Sequence, residues 1–190
     1  MKKLVLIRHS ISKQDPNLSP HQWELTEEGR ALCIPLAKQL QIHEPEIIIT
    51  SIEPKAIQTG EIVAQELTIP CWTAEGLHEH EREQGEMLSQ EEWQKQIASL
   101  FANPDALIFG KETANQALTR FMGAVESILS TYPHKKIAIV SHGTVMSLFY
   151  NQITGRDPFE FWQEFGSPAF YVASWPYYIV TSLATQIETF

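Results

Sequence analysis

The sequence has little of what would tie it to a covalent staple, a membrane or a nucleic acid. Only two cysteines, Cys33 and Cys71, occur in 190 residues. They fit no disulfide pairing or metal spacing, and Cys33 falls in an apolar helical pattern, where a small core residue is expected. That usage suits a reducing compartment. No stretch approaches the roughly 18 apolar residues of a membrane span. The apolar run behind the two N-terminal lysines is shorter than the about 7–15 residues of a signal-peptide core. A soluble, cytoplasmic protein without membrane contact is the expectation. Positive charge is also short: 14 Lys and Arg stand against 23 Asp and Glu, a formal net charge of −9. A generic nucleic-acid binder needs a basic face and is therefore excluded. A small anionic substrate is not, because a few cations in a cleft can outweigh a distant acidic surface. No HExxH or other recognised ligand spacing is present, so neither a metal nor another cofactor is expected.

What is present describes an ordinary globular chain, 43% hydrophobic and 19% charged. The length suits one domain over 1–190, with a polar stretch at about 75–112 inserted as a lid. Fully apolar runs at 4–7, 46–50 and 137–140 read as buried strands. Helical stripes follow Thr26 and Pro54 and cover 90–102, 113–131 and 145–150, and Asp157-Pro158 starts another short helix. Residues 169–185 read as a hairpin of edge strands around Pro176. Alternating strands and helices predict an α/β three-layer sandwich, with a mostly parallel central sheet and helices on both faces.

One pattern recurs. KKLVLIRHS opens the chain and KKIAIVSHG spans 135–143. Aligned, Lys2, Lys3 and His9 match Lys135, Lys136 and His142, 133 positions on. Ligands of open α/β sheets bind at the carboxyl ends of strands. Two adjacent parallel strands would therefore aim both histidines into one crevice. Arg8 sets a permanent cation beside His9, which disfavours a protonated imidazole and keeps it nucleophilic. Gly143 and Thr144 follow His142 where a helix starts, and helix-start amides can hold an anion.

These residues resemble the histidine phosphatase superfamily, the phosphoglycerate mutase-like proteins. Leu6-Ile7-Arg8-His9-Ser10 is similar to its Arg-His-Gly signature, with Ser in the third place. Val140-Ser141-His142-Gly143 is similar to the second histidine signature. Leu25-Thr26-Glu27-Glu28-Gly29 resembles the start of the first helix, Thr50-Ser51 with Ala56-Ile57-Gln58-Thr59 the second, and Leu77-His78-Glu79 the acid-bearing segment. The resemblance implies a small phosphorylated substrate and a two-step phosphoryl transfer through phospho-His9. His142 and Arg8 would stabilise charge, and a glutamate would protonate the leaving alcohol and then activate water.

By motif position Glu79 is the acid, with Glu81 the neighbour on the same face of an extended segment. Glu83 and Glu86 read as solvated. Ser10 and Ser12 could donate to phosphate oxygens or cap turns. Gly143 completes the expected phosphate cradle with Arg8, Lys55 and Ser10. Lys55 stands where the family usually has arginine, in Ser51-Ile52-Glu53-Pro54-Lys55. It either binds phosphate as a point charge, without an arginine's fork, or leaves a weakened site. The alternatives to a small-molecule phosphatase are thus a phosphohistidine protein phosphatase and a weak phosphate-binding module. Arg82 could reach a substrate phosphate or carboxylate, or stay at the surface. The aromatic residues after Phe159 could pack the core, line the pocket or form a homodimer surface.

Overall fold

The computed structural model describes residues 2–82 and 88–187. Six strands form one sheet: β1 Lys2–Arg8, β2 Ile47–Thr50, β3 Cys71–Thr73, β4 Ile137–Ser141, β5 Ala169–Trp175 and β6 Ile179–Ala184. Their order is β3-β2-β4-β1-β5-β6. The first four run parallel, β5 is antiparallel to β1, and β6 is antiparallel to β5. Six helices flank the sheet: α1 Glu27–Leu40, α2 Pro54–Leu67, α3 Gln90–Ala102, α4 Ala114–Thr131, α5 Gly143–Thr154 and α6 Pro158–Glu164.

The strand sequences explain the three layers. Side chains alternate across a pleated strand. Leu4, Leu6, Ile47, Ile49, Ile137 and Ile139 therefore enter one core with α3 to α6. Val5, Ile7, Ile48, Ala138 and Val140 enter a second core with α1 and α2. A strand buried on both faces must be apolar throughout, which is why these runs do not alternate with polar residues.

β1 and β4 are immediate neighbours, with Leu4 opposite Ile137 and Arg8 opposite Ser141. The offset between the two KK…H segments is thus the register of the pair. The expected 169–185 hairpin is present, but β5 is not an edge. It pairs with β1 over seven residues and is buried from Ala169 to Ser174. Pro176 lies in the turn beyond it, so the missing N–H disturbs no ladder.

Helix ends follow their sequence. Thr26 caps α1 by accepting from Gly29 N at 2.9 Å. Thr113 and Gln116 form a capping box at α4, and Asp157 accepts from Phe159 N and Glu160 N at α6. Gly29 also allows a close crossing: a Cβ there would lie 2.1 Å from Ile11 O. The loop behind β1 is fixed by this approach and by Ser10 Oγ, which donates to Gly29 O at 2.7 Å. Gly29→Ala should cost about 1–3 kcal/mol, as overpacking does, read as a lower urea midpoint with the circular dichroism of the helices kept. An unchanged midpoint would contradict the close packing.

Candidate active site

Arg8 and His9 leave the end of β1, and His142 leaves the end of β4 as the residue before α5. Their imidazole centroids are 5.1 Å apart. His9 Nδ1 lies 2.7 Å from Ser10 O. A carbonyl only accepts, so Nδ1 carries the hydrogen and Nε2 keeps its lone pair. Burial of the ring, with the charges of Lys55 and Arg8, brings the His9 pKa down to about 3. The imidazole is therefore neutral at any ordinary pH.

A cavity of about 620 Å³ opens over this ring, lined by Arg8, His9, Lys55, Glu79, Arg82 and Gly143 among others. The Arg8 guanidinium lies against Gly143 so closely that a Cβ there would fall 2.9 Å from Cζ and 3.0 Å from Nε. Arg8 Nη1 donates to Phe165 O, and Nε is buried without a hydrogen-bond partner. The glycine after His142 thus makes room for the arginine before His9.

Glu79 projects towards the start of α5. Its Oε2 accepts from Thr144 N at 3.0 Å, and its Oε1 from Val145 N at 3.2 Å and His80 N at 2.8 Å. The two amides at this helix start, which a substrate oxygen would otherwise use, are therefore taken by the Glu79 carboxyl group. The loop carrying Glu79 is held by Arg120, whose Nη1 donates to Gly76 O and His78 O and Nη2 to Glu79 O. Glu112 fixes Arg120 in turn at 2.5 Å and accepts from Glu81 N at 2.9 Å.

A match to the family model for the histidine phosphatase superfamily (branch 1) runs over residues 4–173. The chain belongs to this superfamily. It is similar to the uncharacterized phosphatase PhoE of Bacillus subtilis (strain 168), at 30% identity over 113 residues, 60% of this chain and 55% of that one. The match thus spans about half the length of that relative. Three solved structures share the fold. The phosphoserine phosphatase of Entamoeba histolytica, as a mutant with phosphoserine, gives a TM-score of 0.78 at 18% identity, covering 98% of each chain. Bacillus stearothermophilus YhfR gives 0.74 at 23%, covering 94% of each. The mycobacterial glucosyl-3-phosphoglycerate phosphatase gives 0.71 at 15%, covering 90% of this chain and 89% of that one.

In this member of the superfamily the expected residues divide. Arg8, His9, Lys55, Glu79 and Gly143 line the cavity, and His142 lies fully buried beside His9. Ser10 does not join them. It is fully buried, its hydroxyl goes to Gly29 O, and Ser12 lines the cavity instead. Glu81 faces a second cavity with His78 and His21. Glu83 and Glu86 lie outside the described residues. His80 is buried, donates through Nε2 to Glu112 O at 2.7 Å and packs on Phe109. Among the described residues no three His, Cys, Asp or Glu gather as a metal-ligand set, and no helix is long and apolar enough to cross a membrane.

Glu53 escapes the sequence reading, yet it sits at the centre of the site. It is 3% exposed. Oε2 accepts from Lys55 Nζ at 2.5 Å. Oε1 accepts from Glu79 N at 2.7 Å, pairs with His21 Nδ1 at 3.1 Å and lies 3.4 Å from His142 Nε2. Burial works against its charge, but His142, His21 and Lys55 together hold its carboxyl far below the usual carboxylate range. The signal was at the start of α2. Glu53 occupies the N-cap before Pro54 but makes no side-chain cap bond. Glutamate is not among the residues favoured there, so its carboxylate has another partner.

Two outcomes follow from these charges. Glu53→Leu leaves Lys55 buried without its anion and should cost about 3–5 kcal/mol in a denaturant titration. Adding Lys55→Met to Glu53→Leu should recover much of that loss; a double variant as unstable as the single would contradict the pairing. His9, with its folded-state pKa at about 3, lies below the ordinary value of about 6.5. Between these values the unfolded chain takes up a proton that the folded chain refuses, so stability falls as pH drops through that window. Nitrogen NMR of the His9 ring should stay in the neutral, Nδ1-protonated pattern down to about pH 5. A titration centred near the ordinary value would contradict it.

Proposed function

We propose that the protein hydrolyses a small phosphomonoester through a phosphohistidine on His9. The observation that carries the proposal is the locked tautomer: Nδ1 is committed to Ser10 O, the ring is neutral, and Nε2 keeps a lone pair beside the cavity. In the first step Nε2 attacks phosphorus, the bond from phosphorus to the ester oxygen breaks, and Glu79 gives that oxygen a proton. In the second step Glu79 takes a proton from water, the oxygen attacks phosphorus, and the P–N bond breaks to release phosphate and restore neutral His9.

Charge on the transferring group needs donors fixed in advance. Arg8 lies against Gly143 next to the nucleophile, and His142 Nδ1 is buried with no hydrogen-bond partner. His142 Nε2 faces the Ser51 hydroxyl at 2.8 Å and Glu53 Oε1 at 3.4 Å, and a hydrogen on Nδ1 is our second donor to the phosphoryl oxygens. Lys55 Nζ donates to Pro20 O and Glu53, and an ammonium has a third hydrogen. That third donor is our assignment for phosphate. The lysine so held is a positioned point charge, which favours a working site over a weakened one.

Leu88, Trp93, Gln96 and Phe109, from the 75–112 stretch, line the cavity together with Leu18, Trp23 and Trp162. We assign that stretch the role of a cover. A covered cavity favours a small ester over a phosphohistidine on a protein surface, and the relative solved with phosphoserine supports this reading.

The test is turnover of phenyl phosphate. His9→Ala should lower kcat by at least about 1000-fold, as loss of a nucleophile does, and abolish an acid-labile phosphoenzyme in a rapid quench. Glu79→Gln should lower it about 100- to 10,000-fold. A chelator should leave wild-type turnover unchanged. Wild-type protein that binds phosphate without turnover would instead establish the binding module.

A further inference from the structure

The cavity contains a cation that the two-step reaction does not use. Arg82 lines it and packs against two indoles, with its guanidinium carbon 4.4 Å from the Trp93 ring centre and 5.9 Å from that of Trp23. Among the described residues it joins no ion pair, and its Nε is buried without a hydrogen-bond partner. Glu79 and Glu53 act on it as charges but form no pair with it. Among the described residues, Arg8 donates to Phe165 O, Lys55 to Glu53 and Arg120 to Glu112.

Arg82 is half-buried, and a guanidinium partly withdrawn from water that donates to no anion is costly. The cost is recovered when an anion enters, and the planar edge matches a carboxylate or phosphate with two parallel bonds. Arg82 shares the Trp23 indole with Lys55, whose Nζ lies 6.0 Å from its ring centre, and adds a contact with Trp93 that Lys55 lacks. Arg8, Gly143 and His142 surround His9, whereas Arg82 is held by Trp93 of α3 and by Trp23. Trp93 itself packs on Phe109 at 5.6 Å. These rings are an apolar part of the cavity lining, and an apolar body on the leaving alcohol can pack against them.

We infer that Arg82, with Trp23 and Trp93, forms a subsite for an anionic group on the leaving alcohol. The substrate is then a phosphomonoester whose alcohol carries a carboxylate, or a second phosphate, on an apolar body. This rests on the phosphatase reading and narrows it to a substrate class.

The probe is a matched pair, phenyl phosphate and 3-carboxyphenyl phosphate. Wild type should favour the carboxylated ester in kcat/KM by at least about tenfold, the size of one charge-assisted hydrogen-bond pair. Arg82→Gln should abolish that ratio, and Arg82→Lys should keep part of it. Equal loss on both esters, with weaker vanadate inhibition, would overturn the proposal and place Arg82 on the phosphoryl group. So would a wild type without preference. The corresponding phosphonates, which have no cleavable ester bond, give the same ratio by calorimetry without turnover. A binding ratio that depends on Arg82 in a protein that hydrolyses neither ester would keep the subsite and sink the phosphatase. Equal binding of both phosphonates would sink the subsite alone. A second phosphate as the natural anion would show as tighter binding of 3-phosphonophenyl phosphonate than of the carboxylated phosphonate.

Discussion

The site depends on one buried carboxylate. Glu53 meets the ammonium of Lys55, the ring of His21, the Nε2 side of His142 and the backbone of Glu79. These groups come from the loop before α1, from α2, from the acid-bearing loop and from the end of β4. None of those segments is held to the others here by apolar packing alone. An ion in an apolar interior is tolerated only when its lone pairs are filled, so the partners of Glu53 have little freedom to drift. Lys55 carries full charge into the interior for the same reason: the anion that permits it is two residues away.

This arrangement changes what a lysine means at that position. An arginine would present a fork to phosphate and could do so alone. A lysine must be aimed. Here the aim is set by two acceptors, Pro20 O and Glu53, which fix two hydrogens and so the direction of the third. Glu79 is positioned with similar care. Arg120 grips three carbonyls of the Glu79 loop, and Glu112 grips Arg120. Burial is the largest influence on the Glu112 carboxyl and works against its charge, but the Arg120 hydrogen bond, the Glu81 amide and the charges of Arg120 and His80 together hold it below its ordinary value.

Much of this was legible in the chain, and the reasons differ from case to case. The apolar runs of β1, β2 and β4 announce strands covered on both faces, and the repeated lysines give the β1–β4 register directly. Arg8, His9, His142 and Gly143 are legible because strand ends place them without help from other segments. β5 was harder: its apolar run Ala169–Ala173 marks a covered strand, but Pro176 and the nearby aromatics suggested an edge. Ser10 was misjudged because a hydroxyl's direction depends on which acceptor comes close, and Gly29 brings α1 against that loop. Glu53 lay beyond sequence reading, and Arg82 stayed open between a substrate ligand and the surface, for a shared reason. Whether a charge is buried depends on partners from distant segments, and no local pattern encodes them.

The place of β1 in the sheet has a consequence for the order of folding. It is the earliest strand among the described residues, yet both its neighbours, β4 and β5, are made only after β2 and β3. Until residues 137–175 exist, the apolar segment that leads to His9 lacks the full ladder it joins. Contacts of such long sequence separation form slowly, because loop closure is paid before pairing rewards it. During synthesis the β1 segment is exposed to mispairing. In return, His9 and His142 come together only when β1 and β4 pair, so the two imidazoles meet late, as the sheet closes around them.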